Sequence, residues 1–67
     1  MYVIRGKMKN RPEMNPWMIS GLDFRPLKFD SYSVAHRECD YYQQQNAVYV
    51  RDYGDEEVIY EVIEHKD

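Results

Sequence analysis

Three side chains near the middle of the chain have residue types and spacing suited to metal or nucleophile chemistry: His36, Cys39 and Asp40. On a helix, i, i+3 and i+4 spacing puts them on neighbouring turns of one face. A structural zinc site wants four ligands, usually several of them Cys or His. His65 is the only other imidazole, and it lies in the tail. The trio therefore reads as a core-facing Cys39 beside a surface His36, with no metal bound. As a nucleophile Cys39 is poorly placed, because a reactive thiol needs a helix N-terminus or a cation beside it. Its neighbours are Glu38 and Asp40. Carboxylates cluster at Asp55, Glu56 and Glu57, but on a predicted turn open to water. There is no Gly-rich phosphate loop and no Gly-x-Ser-x-Gly elbow. No catalytic residue, cofactor or metal is expected, and the chain does not read as an enzyme.

Binding chemistry is better represented. Trp, Tyr, Met and Arg are the residue types enriched at the centres of protein interfaces, and Arg11, Met14, Trp17 and Met18 fall together in an irregular stretch. Trp17 either anchors a partner or caps an open end of the core. Asp52, Tyr53, Asp55, Glu56 and Glu57 form a second candidate contact, suited to a basic groove on a partner. Seven tyrosines exceed what one small core can enclose, and Tyr49 and Tyr53 are expected on the surface. A nucleic-acid alternative rests on Tyr2, Trp17, Phe24 and Phe29 interleaved with Arg5, Lys7, Lys9, Arg11, Arg25 and Lys28. Stacking aromatics beside a basic track is how single strands are held.

Length limits the scaffold available to hold these groups. Sixty-seven residues allow one domain, and a domain of this size buries only ~60% of its unfolded surface. That leaves no room for a deep substrate cleft. At 43% hydrophobic and 15% aromatic, the composition is that of a folded chain rather than a disordered one. The net charge of −3 disfavours duplex DNA and anionic membranes, which select a basic face. It conceals an asymmetry: residues 1–28 carry six basic and two acidic groups (+4), and residues 29–67 carry three basic and ten acidic (−7). Either the halves attract each other or the surface is bipolar and offers one pole to a partner. A single cysteine precludes an internal disulfide, which points to a reducing cytoplasm. No apolar run approaches the ~18–20 residues of a membrane span, and the start, MYVIRGK, lacks a signal peptide's hydrophobic stretch. Met1 running directly into a strand-like segment suggests a complete chain.

Residues 2–8 read as a strand, with Gly6 marking a bulge or a close backbone approach. Residues 9–28 are a Pro-containing excursion. Within it Asn15 to Gly21 suits one helical turn, with Asn15 as cap and Pro16 at the first position, or else Trp17 to Ile19 form a short strand. Leu22 to Lys28 reads as irregular or extended, and Leu27 to Phe29 as a second strand beside the first. Residues 30–45 carry the clearest helix. Asp30 is the expected N-cap, Phe29 and Val34 a hydrophobic staple, and Ala35, Cys39 and Tyr42 one apolar face. Asn46 is the expected stop. A hairpin of residues 47–51 and 58–63 closes the chain, its tip at Asp52–Glu57, with Val58, Tyr60 and Val62 facing the core. The expected architecture is a single α+β domain over residues 1–67: a small antiparallel sheet of three to four strands with one helix on one face, in β-(β)-α-β-β order.

The ordering MYVIRGK…LKFDSYSVAHREC…AVYVRDYGDEEVIYEV resembles small phage- or mobile-element-encoded proteins, including some anti-CRISPR and other host-takeover inhibitors, in size and element order. The resemblance implies a compact, non-catalytic inhibitor that occupies a surface on a bacterial host enzyme or defence complex. It carries over no functional residue. A chain of this size still presents ~800 Å² to a partner, a standard interface. The leading expectation is thus a cytoplasmic protein-binding module of inhibitor type. The alternatives are a single-strand nucleic-acid binder using the basic half and a structural homodimer paired through a sheet edge.

Overall fold

A computed structural model describes residues 1–66. Strand β1 (Tyr2–Met8) is central, flanked by the two-residue β2 (Trp17–Met18) and by β3 (Val58–Glu64), all antiparallel in the order β2-β1-β3. Helix α1 (Tyr32–Tyr53) lies across one face of the sheet. The chain is therefore an α+β domain with one helix on a three-stranded antiparallel sheet.

The core is small. Val3, Ile4 and Ala35 are fully enclosed and Cys39 nearly so. Period-two alternation places Ile4, Gly6, Tyr60 and Val62 on the helix side, since the register pairs Ile4 with Val62 and Gly6 with Tyr60. Small side chains at Ala35 and Cys39 let the helix close on that face. On the opposite face Arg5 and Glu61 stand directly across from each other, and Arg5 Nε donates to Glu61 Oε1 at 2.7 Å. Gly6 marks a close approach: a Cβ there would sit 2.9 Å from the Trp17 indole.

The excursion is a short strand followed by a tight loop, not a helical turn. Gly6 pairs with Trp17 and Arg5 with Met18, and Ile19 N–H continues the ladder to the Ile4 carbonyl at 2.9 Å. Asn15 and Pro16 therefore cap nothing. β1 offered an unpaired edge, and a ladder satisfies more backbone groups than one isolated turn of helix. The chain then reverses, with Leu27 N–H bonding the Ile19 carbonyl at 2.9 Å, and returns so that Phe29 and Tyr2 exchange two bonds of 2.8 Å.

Two boundaries of the helix differ from expectation. Its N-cap is Ser31, not Asp30, and the Ser31 side chain makes no capping bond; the hydroxyl meets that of Ser33 at 2.8 Å instead. Phe29 just before the helix exchanges two backbone bonds with Tyr2, and Val34 is exposed. At the other end the helix runs through Asn46 to Tyr53, so residues 47–51 are helical and the chain closes without a hairpin. β-Propensity in Val48, Tyr49 and Val50 is a weak preference that tertiary context overrides. The true stop is Gly54, left-handed at φ 69°, whose N–H bonds the Val50 carbonyl at 3.1 Å. Asp52–Glu57 is consequently no hairpin tip. Asp52 and Tyr53 end the helix, and Asp55–Glu57 link it to β3.

Asn46 fails as a stop because its amide is engaged elsewhere. Antiparallel pairing turns alternate backbone groups of β3 away from β1, and two helix amides meet them. Gln43 accepts from Tyr60 N–H at 2.9 Å and donates to the Val58 carbonyl at 2.8 Å. Asn46 accepts from Val58 N–H at 2.9 Å and donates to the Glu56 carbonyl at 3.1 Å. The helix thus stands in for a missing strand along half of the β3 edge.

Candidate functional site

The two charged poles of the sequence meet in the fold. Lys9 Nζ lies 2.9 Å from Glu57 Oε2, and Arg11 Nε donates to Glu56 Oε1 at 2.7 Å. The register of β1 against β3 dictates this, since Lys9 N–H continues the ladder to the Glu57 carbonyl. With Arg5 held by Glu61, Arg5, Lys9 and Arg11 of the N-terminal half are each paired with an acid of the C-terminal half. The Lys9 ammonium is held above its ordinary range by its bond to the Glu57 carboxylate and by that charge.

Of the residues read as partner contacts, Arg11, Asp55, Glu56 and Glu57 line one shallow cavity of about 260 Å³ together with Met8 and Val50. Met14 lies with Arg11 and Pro12 in a neighbouring depression against Ile59. Trp17 lays its indole over Gly6 and remains one-third exposed, so it covers backbone and faces water at once. Met18 is half-buried in β2. Asp52 is occupied by Arg51 at 3.0 Å. Tyr53 is exposed, its ring 5.7 Å from that of Tyr49. The fold brings Arg11 to the acidic link, and neither Trp17 nor Tyr53 lines the cavity they form.

His36 and Cys39 diverge. His36 is on the surface, its Nδ1 3.5 Å from an Asp40 carboxylate oxygen, whereas Cys39 is buried. Among the described residues no three metal-ligating side chains come together. Burial pushes the Cys39 thiol up, and the Asp40 and Glu61 charges add to the shift. The folded chain therefore keeps the thiol proton to higher pH than the unfolded chain does. Stability is full below the ordinary thiol range and falls as pH rises through it; Tyr60, also raised by burial, extends the loss further into alkali. At pH 7.5 the thiol should react with a disulfide reagent at least about tenfold more slowly than in urea-unfolded chain. Equal rates in the two states would mean the site is open.

Two surface features emerge that were legible in the sequence only in part, with Tyr49 and Tyr53 expected on the surface and Phe24 read as a stacking aromatic. Leu22 and Phe24 project from the loop between β2 and α1 at 103% and 91% exposure. The loop is nonetheless built: Gly21 N–H bonds the Arg25 carbonyl at 2.9 Å, Phe24 N–H bonds the Gly21 carbonyl at 3.1 Å, and the Asp23 carboxylate accepts from Arg25 N–H at 3.2 Å. Phe24 is left-handed at φ 61°, a conformation bulky residues rarely adopt. The available signal was Asp23, an Asx-turn former between two large apolar residues. The second feature is a set of tyrosines down one side of α1. Tyr41, Tyr49 and Tyr53, at multiples of four residues, are all exposed; Tyr42 lies against Tyr60 of β3 with centroids 5.8 Å apart.

Fold and surface together define a small α+β domain with a projecting apolar knuckle and an aromatic helix flank. No protein-family model, curated protein or solved structure matches the chain. Among the described residues no helix is long and apolar enough to cross a membrane.

Proposed function

We propose that this chain is a non-catalytic protein-binding module that works by covering a surface of its partner, in the manner of the phage-type inhibitors it resembles. On that reading the partner is a bacterial host or defence protein met in the cytoplasm. The observation that carries the proposal is the Leu22–Phe24 knuckle. A left-handed aromatic residue costs about 1–3 kcal/mol of backbone strain, and here that strain accompanies no burial at all. Such a cost is offset if the ring enters a partner's pocket, where an aromatic anchor surrounded by water-excluding contacts dominates binding. The pairing of Arg5, Lys9 and Arg11 with acids weighs against the single-strand nucleic-acid reading, since those cations are already engaged.

The test separates fold from function. Phe24→Asn removes the ring and puts a residue that tolerates the left-handed region in its place. The variant should be at least as stable as the parent to heat. Tagged parent chain, incubated with nuclease-treated bacterial lysate, should retain one protein at near-equal stoichiometry, and Phe24→Asn should lose it. A folded variant that retains the same protein at the parent's level would refute the knuckle. Binding that disappears from the parent on nuclease treatment would move the function to nucleic acid.

A further inference from the structure

The helix flank above the β3 edge is a groove of about 290 Å³ lined by Tyr41, Tyr42, Tyr49 and Tyr60 together with Gln45, Asn46 and Asp55. We propose that it docks an extended, arginine- and proline-bearing segment of a partner protein. The rings give the groove its preference. Tyr42 and Tyr60 are tilted 37° to each other, and Tyr41 stands edge-on to Tyr42 with centroids 5.9 Å apart, so the wall is a continuous cluster of aromatic rings. Proline rings pack on such aromatic walls, and a segment already in the polyproline conformation loses little entropy on binding. Gln45 bonds the Tyr41 hydroxyl through its Nε2 at 3.0 Å, which leaves its carbonyl oxygen to accept from a passing backbone N–H.

Charge selects arginine. Glu56 and Glu57 are neutralised by Arg11 and Lys9, but the adjacent Asp55 side chain has no ion-pair partner among the described residues. It sits at the C-terminal end of α1, where the helix dipole is negative, and its own N–H is turned back to the Tyr49 carbonyl at 3.4 Å. A carboxylate lining the same groove as the exposed Tyr41 and Tyr49 rings matches a guanidinium, which can fork to a carboxylate and stack on a ring. A lysine ammonium satisfies only the first of these, and a phosphate backbone is repelled.

This inference rests on the protein-binding reading but shares no residue with the Leu22–Phe24 knuckle, so the two fail separately. Three blocked nonapeptides are the probes: three repeats each of Pro-Pro-Arg, Pro-Pro-Glu and Gly-Gly-Arg, titrated into isotopically labelled full chain. Saturable shifts at Tyr41, Tyr49 and Asp55 are expected with Pro-Pro-Arg and none with Pro-Pro-Glu. Gly-Gly-Arg should bind at least about tenfold more weakly, because it lacks both ring packing and preorganisation. Asp55→Asn and Tyr49→Leu, both at exposed positions, should each weaken Pro-Pro-Arg binding about five- to tenfold, and Phe24→Asn should leave it unchanged. Equal affinity for Pro-Pro-Arg and Gly-Gly-Arg would reduce the effect to net charge and overturn the proposal. So would indifference to Asp55→Asn and Tyr49→Leu in folded variants, or no saturable binding at all.

Discussion

Ile4→Ala is expected to remove most of the stability of this fold. Ile4 is fully buried on the helix side of the central strand, between the Val62 it pairs with and Ile19, whose N–H its own carbonyl accepts. Truncating a buried isoleucine to alanine costs about 2–5 kcal/mol, from lost transfer energy and from the cavity left behind. A chain of this length has only roughly 3–10 kcal/mol in total, at 0.05–0.15 kcal/mol per residue. The core holds few other enclosed side chains to absorb the loss. Urea titration followed by circular dichroism should show the midpoint falling by half or more at unchanged slope. A variant within about 1 kcal/mol of the parent would mean that the site collapses around the smaller side chain.

Loss of the two helix amides should be the next largest effect, and of a different kind. Gln43→Ala and Asn46→Ala each delete a pair of bonds to the outer edge of β3. With a net ~0.5–1.5 kcal/mol per bond, each change should cost about 1–3 kcal/mol. Water reaches this edge, so the lower part of that range is expected. The more telling consequence is exposure of a strand edge able to pair with another copy. The double variant should therefore sediment as a growing mixture of dimer and larger species as concentration rises, while the parent does not. Gln45→Ala, on the same helix but bonded only to Tyr41, serves as the control and should change stability by less than about 0.5 kcal/mol. A double variant as stable and as monomeric as the parent would show that the amides are incidental to the edge.

Of the two readings of the charge asymmetry, strand register favours the halves that attract each other. Net charge per segment reports only how many charges there are, whereas their pairing depends on strand register. Once β1 and β3 align, Arg5 must face Glu61 and Lys9 must approach Glu57. Such solvent-exposed pairs contribute little stability each. Their consequence for the surface is greater, since they neutralise the acidic link everywhere except at Asp55.

What the sequence determined by itself was local and periodic. β-Branched residues at Val3 and Ile4 marked the first strand, the run from Ala35 to Tyr42 marked the helix and its inner face, and alternation along Val58–Ile63 marked the last strand and which side of it faces inward. A lone cysteine on an apolar face was enough to place Cys39 inside. Tertiary structure decided the rest. Residues 47–51 carry strand-forming side chains, yet they are helical because Gln43 and Asn46 gain four bonds by lying along β3, and the nearest left-handed stop is Gly54. Trp17 and Met18 form a strand because β1 had an edge to fill. The gathering of Tyr41, Tyr42, Tyr49 and Tyr60 into one groove depends on the packing of α1 against β3, segments distant in the chain. Residue type sets how much a side chain gains from burial, but only the assembled fold determines whether any neighbour is there to bury it.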